Sequence, residues 1–143
     1  MAEPALRIVL GDWATLGARA AAIRHDVFVD EQKVPADIEL DEFDAVSLHA
    51  LALDAAGTAV GTGRLLPDGH IGRMAVLASA RGAGVGAALL QALLAAARER
   101  RMREVRLNAQ TQALGFYQRF GFTPEGDVFD DAGIAHKAMR RSL

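Results

Sequence analysis

Residues 81–88, ArgGlyAlaGlyValGlyAlaAla, set three glycines at alternate positions before a long Leu/Ala run, with an arginine in front. A strand that turns through such a segment into a helix presents backbone N–H groups with no partner inside the helix. The helix dipole adds positive potential at the same place, so the segment suits a phosphate or pyrophosphate. Ala87 and Ala88 stand where a nucleoside triphosphatase P-loop needs Lys and Ser/Thr, which argues against that loop. Gly82, Gly84 and Ala87 formally satisfy a dinucleotide GxGxxA pattern. The strands before it read as hairpins, however, and Glu104 opens the next strand instead of ending it, so the topology is wrong for that fold.

The chain has 143 residues, enough for one substantial core, and reads as a single domain, 1–143. A formal net charge of -2 offers no bulk attraction to nucleic acid or to anionic lipid. The absence of cysteine removes thiolate nucleophiles, thiolate metal sites and disulfides together. The N-terminus lacks the pattern of a secretory signal, and the apolar run from Val85 to Ala97 is too short to cross a bilayer. The expectation is a cytoplasmic protein with no nucleic-acid or membrane partner and no metal, and with a homodimer left open.

The elements that must position these residues follow from periodicity. Ala5 to Leu10 reads as a strand, and Asp12 caps a helix with Leu16, Ala20, Ile23 and Val27 on one stripe, running to about Val29. Val34-Pro35 ends it, and a carboxylate-rich loop or short helix follows to Asp44. Val46–Leu53, Thr58–Leu66 and His70–Leu77 read as strands separated by turn residues, forming an antiparallel meander. After Gly84 the period becomes helical through Val85, Leu89, Ala92, Leu93 and Ala96, and the basic residues at the end complement the helix C-terminus. Val105, Leu107 and Ala109 alternate as a strand, a short helix carries Phe116 and Phe120 up to Gly121, and residues 122–139 close as a hairpin.

Arg81-x-x-Gly84-x-Gly86 behind the strand GlyArgMetAlaVal, 72–76, followed by AsnAlaGlnThrGlnAlaLeuGlyPheTyrGlnArgPheGlyPhe, 108–122, resembles the GCN5-related N-acetyltransferases (GNAT). The resemblance covers nearly the whole chain. ArgHisAspValPheValAspGluGln at 24–32, with GluLeuAspGluPheAsp and His49, resembles the ElaA-like and YjcF-like branch. It implies an α/β (α+β) fold with a mixed, mostly antiparallel central sheet flanked by helices, and an acetyl-CoA-dependent N-acetyltransferase. The implied co-substrate is acetyl-coenzyme A, its pyrophosphate on N–H groups from Arg81, Gly82, Ala83, Gly84, Val85, Gly86 and Ala87, its pantetheine along Met74, Ala75 and Val76, with Asn108 and Tyr117 nearby. Arg81 either contributes charge to the phosphates or caps the turn.

Direct acetyl transfer needs a neutral amine, a polarised thioester carbonyl and a hydrogen-bond or proton donor for the thiolate. The resemblance places the only tyrosine, Tyr117, as that donor, against the alternative of plain packing beside Phe116. A backbone N–H of the 74–76 strand is the implied carbonyl donor. Seven carboxylates between Asp30 and Asp44 can draw a cationic amine, with Glu31 the candidate base and most of the others expected in solvent. Acceptor-site candidates are Phe28, Glu31, Asp44, His49, Arg73 and His136, with His49 alternatively structural and Arg73 alternatively paired with a loop carboxylate. The acceptor is a small-molecule or peptide amine. Competing readings are a transferase with another acyl donor, its length set by residues such as Met74, and a non-catalytic acyl-CoA-binding regulatory module.

Overall fold

The computed structural model describes residues 6–143; the expected strand start at Ala5 lies outside them. Strands β1 (Leu6–Gly11), β2 (Leu48–Asp54), β3 (Ala59–Leu65) and β4 (Ile71–Val76) form an antiparallel sheet in that order. Strands β5 (Glu104–Gln110), β6 (Thr123–Asp131) and β7 (Ile134–Ser142) form a second antiparallel sheet in the order β5-β7-β6. The two sheets touch at one parallel bridge, His70 to Arg106, where the Arg106 N–H donates to Gly69 O at 3.0 Å. Beyond that bridge β4 and β5 part, and the outer edge of β4 carries no strand partner.

β2 shows why the first sheet is covered on both faces. Ala50 and Ala52 point to one cluster with Leu89, Leu90, Leu93 and Leu94 of helix α3 (Val85–Glu99). Leu51 and Leu53 point to the other, with Leu16, Ala20 and Ile23 of helix α1 (Trp13–Arg24). The alternation of side chains along a strand assigns each set to its own face. α3 can lie close because β3 has glycines beneath it: a Cβ at Gly61 would stand 2.8 Å from Val85 Cγ1, and one at Gly63 3.1 Å from Leu93 Cδ1.

α1 starts at Asp12, whose side chain accepts from the Thr15 N–H at 2.9 Å. Its regular α turns end at Arg24, and the helical run continues past the expected end near Val29 as a π-helical stretch, His25–Glu31. There the Gln32 N–H reaches Val27 O at 3.0 Å, a five-residue step. The carboxylate-rich segment contains helix α2 (Ala36–Glu39) and a 3-10 turn, Glu42–Val46, so Val46 falls outside β2. A second short helix, α4 (Leu114–Arg119), precedes Gly121, whose φ of 85° ends it.

Of the seven carboxylates between 30 and 44, Asp30, Glu31, Asp37 and Glu42 are exposed, as expected of most of them, while Glu39, Asp41 and Asp44 are held by arginines. Arg24 donates from Nε to Glu39 Oε2 at 2.8 Å and from Nη1 to Asp44 Oδ1 at 2.7 Å. Arg64 donates to Asp41 Oδ1 at 2.7 Å and to Asp44 Oδ1 at 2.9 Å. Arg24, Glu39, Asp44 and Arg64 are all buried. Removing one member of a buried set strands its partners, which costs more than the pair itself contributes. Asp44→Ala is therefore expected to lower stability by about 3–5 kcal/mol, seen as a lower urea midpoint at unchanged slope; a shift under 1 kcal/mol would refute the assignment.

Candidate active site

A cavity of about 440 Å3 opens where β4 and β5 diverge, lined in part by Phe28, Arg73, Met74, Asn108, Tyr117 and His136. A bulge in β4 shapes one wall. Gly61 pairs with Val76 and Thr62 with Ala75, then Arg64 pairs with Gly72, so Arg73 and Met74 both oppose Gly63. Arg73 takes a φ of 50°, and its Nε donates to Glu39 O at 3.0 Å while Nη2 donates to Asp41 Oδ2 at 3.1 Å. It thus joins the ion network as its sixth member and lines the cavity at the same time.

The opposite wall is the exposed face of β5 with its β7 neighbour. Val105, Leu107 and Ala109 are buried, which turns Asn108 and Gln110 outward. Gln110 pairs in register with His136, so the two side chains share that face. The His136 Nδ1 lies 2.8 Å from Ile134 O, and its ring stacks on Phe129 with centroids 6.0 Å apart and planes 25° apart. Tyr117 comes from α4, packed edge-on to Phe116 at 5.0 Å and Phe122 at 6.0 Å. Burial pushes its phenol up to about 12, so it is a hydrogen-bond donor throughout the neutral range.

The glycine turn is the third part. Gly82 and Gly84 have φ of 83° and 79°, and a Cβ built on either meets nothing within 4 Å. Their requirement is therefore backbone conformation and not crowding by the protein. The first helical bond of α3 runs from the Ala88 N–H to Gly84 O, which leaves the N–H groups of Val85, Gly86 and Ala87 without helical partners. Such a terminus fits an anion, and open space over both glycines leaves room for a bulky one. Ala75 is buried, and Val76 O accepts from Arg81 Nε at 3.0 Å.

Ala75, Val76 and residues 81–87 lie outside the cavity lining, and so do three acceptor-side candidates, Glu31, Asp44 and His49. The Glu31 carboxylate accepts two hydrogen bonds from Arg81, at 2.6 and 2.7 Å, and these hold it below the usual carboxylate range. Asp44 is enclosed between Arg24 and Arg64. His49 is buried on the α1 face with its Nε2 2.9 Å from Asp44 O and its ring 4.9 Å from that of Trp13. The structural alternative for His49 and the charge-pair alternative for Arg73 are the arrangements found.

Sequence reasoning missed Gln32 and Gln110, whose amides exchange hydrogen bonds at 2.9 and 3.4 Å across the cavity between the π-helical stretch and β5. It also missed Arg24, although Arg24 falls four residues after Ala20 on the apolar stripe. That position was the available signal.

A family model described as "Acetyltransferase (GNAT) domain" matches residues 19–143. The chain belongs to the GNAT acetyltransferase family. It is 42% identical over 123 residues to the uncharacterized N-acetyltransferase YjcF of Bacillus subtilis, covering 83% of this chain and 87% of YjcF. Its fold superposes on an acyl-CoA N-acyltransferase from Pseudomonas aeruginosa with a TM-score of 0.83 at 32% identity, covering 95% of this chain and 99% of that one. The crystal structure of Escherichia coli ElaA gives 0.84 at 28% identity, with 95% and 99% covered. This GNAT chain is an acyltransferase, and its mixed α/β architecture of antiparallel sheets flanked by helices is that of the family. Among the described residues no helix is long and apolar enough to cross a membrane.

The buried groups of this GNAT domain set its response to acid. Burial lowers His49 from the ordinary 6.5, only partly opposed by the Asp44 carbonyl and charge. The unfolded chain then takes up a proton the folded one refuses, so stability falls as pH drops below about 6.5. Burial raises Asp44, but hydrogen bonds and charge from Arg24, with Arg64, more than offset it; Asp41 is likewise lowered against burial, by Arg64 and Arg73. Their stabilisation is present above the unfolded value of about 3.9 and disappears as pH falls through the folded ones. Denaturant midpoints measured from pH 8 to pH 3 are expected to fall in two steps, and His49→Gln to flatten the upper one alone.

Proposed function

We propose that this chain transfers an acetyl group from acetyl-coenzyme A directly to a primary amine, without an acyl-enzyme. The observations that support the reading are a cavity bordered by Met74 of the unpaired β4 edge and by Tyr117, and, following β4 in the chain, the free N–H groups at the start of α3. Val85, Gly86 and Ala87 are assigned to the pyrophosphate, with Arg81, Gly82, Ala83 and Gly84 shaping the turn. The β4 edge from Met74 to Val76 accepts an amide-bearing pantetheine as an added strand, and Asn108 faces it from β5.

A backbone N–H at the β4 bulge polarises the thioester carbonyl, since a fixed amide aimed at developing charge requires no rearrangement. Tyr117 donates a hydrogen bond to the departing thiolate. Against a thiol of about 8.5, a phenol near 12 makes complete proton transfer uphill by roughly 5 kcal/mol, so Tyr117 stabilises the thiolate by hydrogen bonding without giving up its proton. Glu31 serves by holding Arg81 in place and not as a base. Phe28, Arg73 and His136 form the acceptor side, taking a small-molecule or peptide amine, whereas Asp44 and His49 support that side from behind.

Turnover is read as free thiol released from acetyl-coenzyme A in the presence of an amine. Tyr117→Phe is expected to lower kcat about 10- to 100-fold, the worth of one hydrogen bond to a charged group, with KM for acetyl-coenzyme A within about threefold. Wild-type kcat should show no tyrosine limb up to pH 10; unchanged turnover in the variant would remove Tyr117 from the chemistry. Met74, seated over Gly63, is the side chain assigned to acyl length. Met74→Ala should raise the rate with butanoyl-coenzyme A relative to acetyl-coenzyme A several-fold, and an unaltered ratio would reassign that role.

A further inference from the structure

Two histidines line the cavity, His70 and His136, and His136 is the one set in a strand paired on both sides, with its ring stacked on an aromatic neighbour. The His136 Nδ1 is committed at 2.8 Å to a carbonyl oxygen, Ile134 O. A carbonyl can only accept, so Nδ1 carries the hydrogen and the lone pair of the neutral ring is on Nε2. Stacking on Phe129 and pairing of its strand with β5 and β6 hold the ring in one orientation. By contrast, His49 is enclosed in the core; His70 lines the same cavity, but its side chain is 45% exposed just ahead of β4 and its Nδ1 lies 2.9 Å from the exposed Asp68 carboxylate. His25 lies in solvent on the outer surface of the π-helical stretch.

We propose that His136 is the general base that takes the proton from the acceptor ammonium. The inference rests on the amine-acetyltransferase reading above. An alkylammonium entering the cavity gives one N–H proton to His136 Nε2, and the neutral amine then forms the C–N bond with the thioester carbon. The C–S bond breaks, and the electron pair leaves on sulfur as a thiolate hydrogen-bonded by Tyr117. The second amine proton goes to solvent, the thiolate is protonated from solvent, and His136 returns its proton there.

The surrounding charges fit a cationic acceptor. Asp131 lines the same cavity and lies two residues beyond Phe129, the β6 partner of His136, so it falls on the same sheet face. Its carboxylate supplies attraction for the ammonium before the proton moves. The other charged groups at the cavity, Arg64, Arg73, Glu39 and Asp41, are tied to one another in the ion network, and His70, the remaining titratable lining group besides Tyr117, is turned to Asp68 at 2.9 Å. The nearest partners of His136 on the adjoining strands, Gln110 and Phe129, carry no charge.

The test uses His136→Asn, whose side-chain amide can keep the donation to Ile134 O while removing the basic nitrogen. Thiol release from acetyl-coenzyme A is followed from pH 6 to pH 10 with phenethylamine, spermidine and an Nα-blocked lysine as acceptors. The thermal shift produced by coenzyme A serves as the check on folding and donor binding. His136→Asn is expected to keep that shift and lose about 100-fold in kcat/KM at neutral pH, a deficit that shrinks as pH rises and the free amine becomes abundant. A variant within threefold of wild type at pH 7, or one reduced by the same factor at every pH, would overturn the base and leave the transferase reading standing. If wild type binds coenzyme A but acetylates none of the amines, the amine-transfer reading itself fails and the base with it.

Discussion

Three arginines and three carboxylates, Arg24, Arg64 and Arg73 with Glu39, Asp41 and Asp44, hold the segment between α1 and β2 against the sheet. The segment's polarity is inverted. Glu39 and Asp44 are buried while Ile38, Leu40, Phe43 and Val46 are exposed by 45–58%. Hydrophobic burial therefore cannot be what folds residues 36–46 back, and the charges must. Such a set is stable only if charge balances and the polar atoms find partners, because each ion taken out of water costs several kcal/mol. The count is three against three, and Arg64 Nε is the single buried side-chain polar atom left without a partner among the described residues. The capping of the 3-10 turn by Asp41, with Asp44 returning to the Asp41 N–H, lets two members of the network also fix the local backbone.

The network and the cleft are one construction. Arg73 reaches Glu39 and Asp41 from the left-handed bulge position, and that bulge is where β4 departs from regular pairing with β3. A non-glycine residue at positive φ is costly and persists where the surroundings over-determine it. Here three polar contacts to the inverted segment do so. The exposed apolar side chains that result are not idle either: Ile38 and Phe43 line the cavity with Phe28. One set of ion pairs thus closes the segment, fixes the bulge and provides an apolar rim to the cavity.

The fold was legible in the sequence wherever a pattern repeats. β5 alternates Val105, Leu107 and Ala109, α3 carries its stripe from Val85, and the glycine turn announces itself as a candidate anion cradle ahead of a helix. The ion network beside the cavity was not legible, for a physical reason. A carboxylate's role depends on which cation folds against it, and sequence spacing does not say that Asp44 meets Arg24 and Arg64 from 20 residues away on either side. Nor does anything local mark Arg73 for a positive φ, since Gly72 beside it is the residue that chemistry would choose. The π-helical stretch was equally hidden; its widened turn sets Phe28 and Gln32 on the cavity while Glu31 faces Arg81.

Arg81 and Glu31 show how exposure decides what an ion pair does. Both are more than 40% exposed, so their two hydrogen bonds contribute little to stability compared with the buried network. What the pair supplies is geometry. Arg81 is bound to Val76 O at the end of β4 and to Glu31 at the end of the π-helical stretch, and it opens the glycine turn. The turn that presents the N–H groups of α3, the strand that borders the cleft and the helix end that carries Phe28 are therefore fixed to one another through a single guanidinium. A lysine there could not do this, because one ammonium cannot meet a carboxylate side-on with two parallel bonds while its chain also donates to a carbonyl. The glycine turn and the π-helical stretch, 50 residues apart in the sequence, meet at that side chain.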